Sequence, residues 1–482
     1  MARSRLLLVL AVVIPVLLVL GALAFVALRE TAPASLGGSP SFEDFDPAAD
    51  DPFAYEPSRR AEFERRAAAG FAHVLYEKSP GGVEATAARV DGQRTLIRRE
   101  ARRSGVDADM LEALVFLESA GRPGAVAGGD LESAAGLTQI LAGTGVGLLN
   151  MRVDVPESTR LTRGIRRARS RGDGRRARRL EARRRRVDER FDPRKALAGT
   201  GRYLRFARER LGRGDLAFVG YHMGVGNLQR ALDLHGAGRI PYAQLYFDST
   251  PTSHRRAFVF FGTLGDGSPD YLWRLMAARE IMRLHRKDPA ALARRAELQT
   301  AKATAEEVLH PADRSKVFRS PAALEDAYEE GDLRPFSGDL AGTGLARDRR
   351  MGELAPRLKQ KRRLYEGLRP GAYALAVYMA KLTREASGSR APLTVTSTVR
   401  DTKYQGLLVG RNPEATPNYS LHTTGWSFDV LRRYRNRRQA MGFQYALNRL
   451  QALNLIAWTR EPSAIHVTAA GESERLREPL SD

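Results

Sequence analysis

The chain has no cysteine. That excludes disulfides, thiolate metal sites and cysteine nucleophiles. It does not fix the compartment, because many exported bacterial proteins also lack the residue. Histidine is scarce, with eight in 482 residues, so two histidines at a metal-ligand spacing carry weight. Acids are outnumbered, 56 Asp and Glu against 78 Lys and Arg, for a net charge of +22. There is no internal repeat. The N-terminal half lacks period-2 apolar alternation, so it reads as mostly helical. A length of 482 residues is too great for one ordinary core, so two or three domains are expected.

What is present begins with an apolar run. Leu6 to Leu28 holds 23 uncharged residues behind Arg3 and Arg5. As a helix it would be roughly 34 Å long, enough to cross a bilayer core of about 30 Å. A cleavable signal peptide usually has an apolar region of only about 7–15 residues. The expectation is a single-pass anchor in the cell membrane, with the stub cytoplasmic and the bulk of the chain outside, facing the cell wall. A long signal peptide cut near Ala22-Leu23-Ala24 is the alternative.

The positive charge is unevenly spread. Glu157 to Arg190 holds 15 Arg against 5 Asp/Glu, a net of +10. Such a stretch reads first as a solvated helical insertion. It also suits a polyanion: anionic wall polymers such as teichoic acids, lipid headgroups or peptide-stem carboxylates. Nucleic acid would be the other polyanion, but the run has no interleaved aromatics for base stacking, and the membrane segment argues against it.

Composition divides the chain into a stub and anchor at 1–28, a Pro/Ala/Ser/Asp/Gly-rich tether at 29–56, a helical domain at 57–290 carrying the Arg-rich insertion at 157–190, a charged connector at 291–350, and a last domain at 351–482. Helices are expected near 59–76, 83–103, 356–368, 373–386 and 436–453. Asp107 or Asp109 would cap the helix before Glu118. Leu393–Val399, Leu455–Trp458 and Ala464–Thr468 read as strands. The fold class is therefore multidomain, mostly α in the first half and α+β in the second.

Three blocks carry the first chemistry. An apolar run ends in Glu118-Ser119; Gly136-Leu137-Thr138-Gln139-Ile140 follows; Gly220-Tyr221-His222-Met223-Gly224-Val225-Gly226-Asn227 comes later. In this order they resemble the lytic transglycosylases of the soluble-lytic, goose-lysozyme-like superfamily, over about residues 90–285. Thr138, His222, Met223 and Val225 depart from the commonest family residues. An acid catalyst must stay protonated near neutral pH, and Leu114–Leu117 give Glu118 the apolar surroundings that would do this. No second carboxylate has a motif-supported position, and Asp130 and Glu132 are not singled out. The resemblance implies a lysozyme-like fold in which Glu118 protonates the oxygen between N-acetylmuramic acid and N-acetylglucosamine of peptidoglycan. Glu118 would then accept the muramyl C6 hydroxyl proton, giving a 1,6-anhydro product. It further implies that Ser119, Gln139, Tyr221, Gly224 and Asn227 bind or orient the glycan. This activity needs no cofactor.

The second chemistry lies in Ser420-Leu421-His422-Thr423-Thr424-Gly425-Trp426-Ser427-Phe428-Asp429, followed by Ile465-His466-Val467. These resemble zinc D-alanyl-D-alanine peptidases, including the vancomycin-resistance type, over about residues 350–472. The resemblance implies one zinc held by His422, Asp429 and His466, with a fourth position open. It also implies that Arg400, in Ser397-Thr398-Val399-Arg400, stabilises an oxyanion. The family's general-base Glu stands three residues before the last His, where this chain has Ser463. Glu461, five residues before, is the catalytic candidate. Two readings follow: a bifunctional wall enzyme that also cuts stem peptides, or a wall-binding scaffold whose last domain is a non-catalytic relic.

Overall fold

The helix that carries Glu118 is capped by a side chain at its start. In the computed structural model, Asp107 accepts hydrogen bonds from the backbone N–H groups of Asp109 and Met110. The structure describes residues 51–336, 340, 342–411 and 416–477. The expected anchor and most of the tether lie outside the described residues. Among those described, no helix is long and apolar enough to cross a membrane.

The elements that position the sites are labelled in chain order. Helices α1 (Arg60–Gly70), α2 (Arg94–Ser104) and α3 (Ala108–Ser119) begin the N-terminal half. In α3 every residue from Met110 to Phe116 is buried, so it forms the centre of its half. Its buried acid, Glu112, is neutralised by Arg94 (3.0 Å) and Arg286 (2.6 Å). An unpaired charge there would be costly. Helices α4 (Val155–Ser170) and α5 (Gly174–Val187) are the Arg-rich insertion, folded as a hairpin. Helices α6 (Pro193–Leu211), capped by Asp192, and α7 (Gly214–Met223) follow. The long α8 (Tyr271–Lys287) packs along α3.

Within 291–350 the chain forms more helices. Helix α9 (Pro289–Thr300) packs on α8, and the single turn α10 (Glu306–Leu309) lies against the sheet of the C-terminal half. That half pairs two helices, α11 (Pro370–Ser387) and α12 (Arg437–Ala452), with a five-stranded sheet. The strands are β1 (Leu345–Arg347), β2 (Leu393–Ser397), β3 (Ser427–Leu431), β4 (Ile456–Arg460) and β5 (Ala464–Ala469). Their order is β1-β2-β3-β5-β4, with β1 parallel to β2 and the other pairs antiparallel. The chain is thus α+β overall, with an α-rich N-terminal half.

Some expected elements shift. The helix expected at 83–103 breaks at Gly92-Gln93 into Val83–Asp91 and α2. The helix expected at 356–368 is two 3₁₀ turns, Ala355–Leu358 and Arg362–Tyr365, followed by the two-residue strand Gly367–Leu368. Lys359 between the turns is left-handed (φ 55°), and Leu364 and Tyr365 are drawn into a small core with Phe318, Leu333 and Tyr404. Tertiary packing overrides helix propensity there.

The apolar core runs without interruption from Phe63, Phe247 and Trp273 to Leu450, Leu453 and Ile456. Polar ties cross between the halves. The Arg66 guanidinium donates to the Leu453 carbonyl (3.3 Å) and pairs with Glu472. Arg449 donates to the Phe247 carbonyl (3.1 Å), and the Tyr378 hydroxyl to Asp51 (2.8 Å).

Candidate active site and metal centre

Glu118 sits in the last turn of α3, which Ala120 (φ 54°) and Gly121 (φ 72°) end with left-handed conformations. It is half-buried. The Tyr271 hydroxyl, at the head of α8, donates to its Oε1 at 2.7 Å. Burial raises the Glu118 carboxyl to about 7, against the lowering effects of that hydrogen bond and of Arg274. The groups that tune it are a phenol and a guanidinium, and among the described residues no second carboxylate joins them.

The second motif is fixed from below. The Arg190 guanidinium, fully buried and paired with Asp188 (2.9 Å), donates to the carbonyls of Leu131, Ser133 and Ile140. Gly136 (φ 84°) has no room for a side chain, since a Cβ there would lie 1.8 Å from the Arg190 carbonyl oxygen. Gln139 is left-handed (φ 52°), and its amide donates to the Gly136 carbonyl at 2.8 Å. The Tyr221 hydroxyl donates to the Thr138 carbonyl (2.6 Å) and lies 3.3 Å from Thr200 Oγ1. Burial and then the Glu118 charge hold the Tyr221 phenol well above its ordinary range. The three motifs therefore converge.

Not every expected residue bonds toward the Glu118 carboxyl. The Ser119 hydroxyl is buried and donates back to the Val115 carbonyl (3.3 Å). Gly224 (φ 85°) ends α7, and the Asn227 amide donates to the Met223 carbonyl (2.9 Å), bracing that turn. His222 stacks on Tyr271, with ring centroids 4.7 Å apart and planes 5° from parallel. Burial lowers its ring pKa, which favours the neutral form. Tyr271 is the residue that sequence reasoning missed. It is 153 positions from Glu118, and no local motif sets it apart from the chain's other tyrosines.

The second cluster follows from strand register. In the β3–β5 ladder Asp429 pairs with His466 and Ser427 with Thr468, so these four share one face, while Phe428, Val430, Ile465 and Val467 enter the core. His422 arrives from the turn Leu421–Thr424, which Gly425 (φ 77°) closes. One ligand atom from each of His422, Asp429 and His466 lies within 4.8 Å of the others. Asp429 Oδ1 is 2.9 Å from His466 Nδ1, and Oδ2 is 3.3 Å from His422 Nε2. His422 Nδ1 lies 2.8 Å from the Thr398 carbonyl, which places its proton there and leaves Nε2 as the ligand nitrogen. These buried groups can hold a metal ion.

Charge around the cluster is tightly arranged. Burial and the Arg400 charge lower His422 to about 4. Burial opposes the Asp429 charge, but the two histidines hold its carboxyl well below the usual range. Burial also opposes a charged His466, yet hydrogen bonds to Asp429 and Glu306 raise it to about 10. Arg400 donates to Ser397 Oγ (2.7 Å), Gln405 Oε1 (3.0 Å) and Asp429 Oδ2 (3.4 Å). Glu461 lies on the β4–β5 turn, where its carbonyl accepts from Arg432, and its charge favours the protonated Arg400.

A second grouping, His235, Asp248 and His254, also brings ligand atoms within 4.8 Å. Its two imidazoles stack face to face, 3.6 Å apart and 6° from parallel. Imidazole lone pairs lie in the ring plane, so rings stacked this way do not aim at one ion. Compared with protein-family models and with curated proteins, the chain matches none.

Proposed function

We propose that this protein is a membrane-anchored lytic transglycosylase that cleaves peptidoglycan, with a second domain that binds zinc. The observation that carries the first part is Glu118: a carboxyl raised to about 7 by burial, with a tyrosine hydroxyl fixing one oxygen and no second carboxylate beside it among the described residues. Such a group is protonated often enough at neutral pH to act as an acid. Glu118 donates its proton to the glycosidic oxygen as the C1–O bond breaks. The resulting carboxylate then takes the proton of the C6 hydroxyl as that oxygen bonds to C1, restoring the acid. No water is consumed, so the reaction requires no second catalytic carboxylate, unlike in most hydrolases. Tyr271 holds the carboxyl in one orientation throughout, and the Tyr221 hydroxyl braces the Gly136–Ile140 segment through the Thr138 carbonyl. Mass spectrometry of muropeptides after digestion tests this: anhydro-muramyl ends are expected, and ordinary reducing ends would refute it.

For the second domain the donors fit zinc: two imidazoles and one carboxylate, each backed by a further partner. When bound, the ion supplies Lewis acidity toward a peptide carbonyl. Arg400 would stabilise negative charge on the carbonyl oxygen, and Glu461 is the candidate base. Ser463 at the usual base position favours a second reading, a domain that holds stem peptides without cutting them. Release of D-alanine from a stem peptide by the zinc-loaded full chain separates the two. The Arg-rich hairpin would bring the enzyme to anionic wall polymers or lipid headgroups.

A further inference from the structure

We infer that Glu306, carried by the segment between the two halves, is the positioning residue that sets His466 as a metal ligand through Nδ1, and that the metal site is therefore completed from outside its own domain. The inference rests on the zinc reading of His422, Asp429 and His466. Glu306 Oε2 lies 2.8 Å from His466 Nε2. The other ring nitrogen, Nδ1, faces Asp429 at 2.9 Å. The two nitrogens flank Cε1 and their bonding directions diverge, so Glu306 meets the ring at a different edge from Asp429 and leaves Nδ1 to the ligand cluster. A carboxylate placed there accepts the Nε2 proton, fixes the tautomer and makes the ligand nitrogen more basic.

Glu306 is built to hold that place. It is 4% exposed. Its Oε2 also accepts from the Thr468 hydroxyl (3.2 Å), which in turn meets Ser427 Oγ at 2.7 Å. Its Oε1 accepts from Lys302 at 2.6 Å. The strap that carries it is anchored at both ends. Upstream, buried Gln299 on α9 meets His73 Nδ1 at 3.0 Å in the N-terminal half. Downstream, His310 reaches the Ala469 carbonyl and stacks on Trp426 of the zinc motif, and the Phe318 amide donates to the Thr423 carbonyl. A side chain so tied is a fixed part of the wall.

The test uses the full chain in detergent, loaded with zinc and titrated against a chromophoric chelator. Glu306→Ala should bind zinc about 10–100-fold more weakly, and Glu306→Gln, which keeps the volume and an acceptor, should recover part of the loss. Nitrogen-15 spectra of the zinc-loaded wild type should show His466 protonated on Nε2 and metal-bound through Nδ1, a readout that needs no variant to fold. Metal on Nε2 would overturn the inference, as would a folded Glu306→Ala with wild-type affinity. A folded Glu306→Ala that gains stem-peptide cleavage at unchanged affinity would overturn it too, by showing the strap to be a plug. A wild-type chain that holds no zinc refutes the metal site itself, and the inference with it.

Discussion

Glu118 is expensive to keep at the C-terminal end of α3, and that cost is measurable. Its carboxyl titrates near 7 in the folded chain against an ordinary 4.5. Below 4.5 it is protonated in both states and costs nothing. As pH rises from 4.5 to 7 the folded state holds a proton that the unfolded chain has already released, and stability falls; above 7 the loss is constant. Glu118→Gln should therefore abolish anhydro-muropeptide formation and stabilise the chain at pH 8 by up to about 3 kcal/mol, seen as a higher Tm, while leaving Tm unchanged at pH 4. Equal Tm shifts at both pH values would contradict the burial argument. Tyr271→Phe removes a hydrogen bond that lowers the carboxyl. The basic limb of the pH–rate profile should move upward, and kcat should fall about 10–100-fold, the worth of a hydrogen bond to a charged group at about 1.5–3 kcal/mol. An unmoved basic limb would show that Tyr271 does not touch the working acid. Glu118, His422, Asp429 and His466 were legible in the sequence because each lies in a short patterned segment. Tyr271 and Glu306 were not. Each meets its partner across more than 150 residues and carries no local pattern, so only the fold brings them in.

At the scale of elements, the arginines of the insertion fall into two sets. Of the 15 arginines between Glu157 and Arg190, 13 are exposed. The other two are structural: Arg184 lies over the Phe191 ring at 3.6 Å and donates to Thr162, and Arg190 clamps the Gly136–Ile140 loop. Replacing Arg175, Arg176, Arg178 and Arg179 with Gln should weaken adsorption to anionic walls or vesicles and flatten its salt dependence, with cleavage of small soluble glycans unchanged. Unaltered adsorption would leave only a solvated hairpin. Gly136→Ala acts on the clamp instead. Its Cβ would collide with the Arg190 carbonyl, so destabilisation on the order of 3 kcal/mol and loss of glycan cleavage are expected, read by thermal melts and muropeptide release. The run's charge was plain in the sequence, but its inward-facing members were not, because nothing local distinguishes Arg190 from its neighbours. Strand β3 was also missed, although Ser427-Phe428-Asp429-Val430 alternates polar and apolar with the period of a strand.

The continuous core makes a prediction about the whole molecule. Residue 70 of α1 must be glycine because a Cβ would lie 1.9 Å from the Gln451 carbonyl oxygen of α12, so the backbones of the two halves touch. With Arg66, Arg449 and Tyr378 bridging the same boundary, neither half can open without exposing apolar surface of the other. Metal binding in the C-terminal half should then stabilise both. A ligand present at 100 times its Kd adds about 2.7 kcal/mol to whatever unfolds with its site. The full chain should melt in one transition, and zinc should move all of it, whether followed by bulk calorimetry or by loss of glycan cleavage at the distant Glu118. Chelation should reverse the shift, and His422→Ala should abolish it by removing a ligand. Two transitions, with zinc moving one and leaving glycan cleavage to fail at its original temperature, would show the shared core to be too weak to couple the sites.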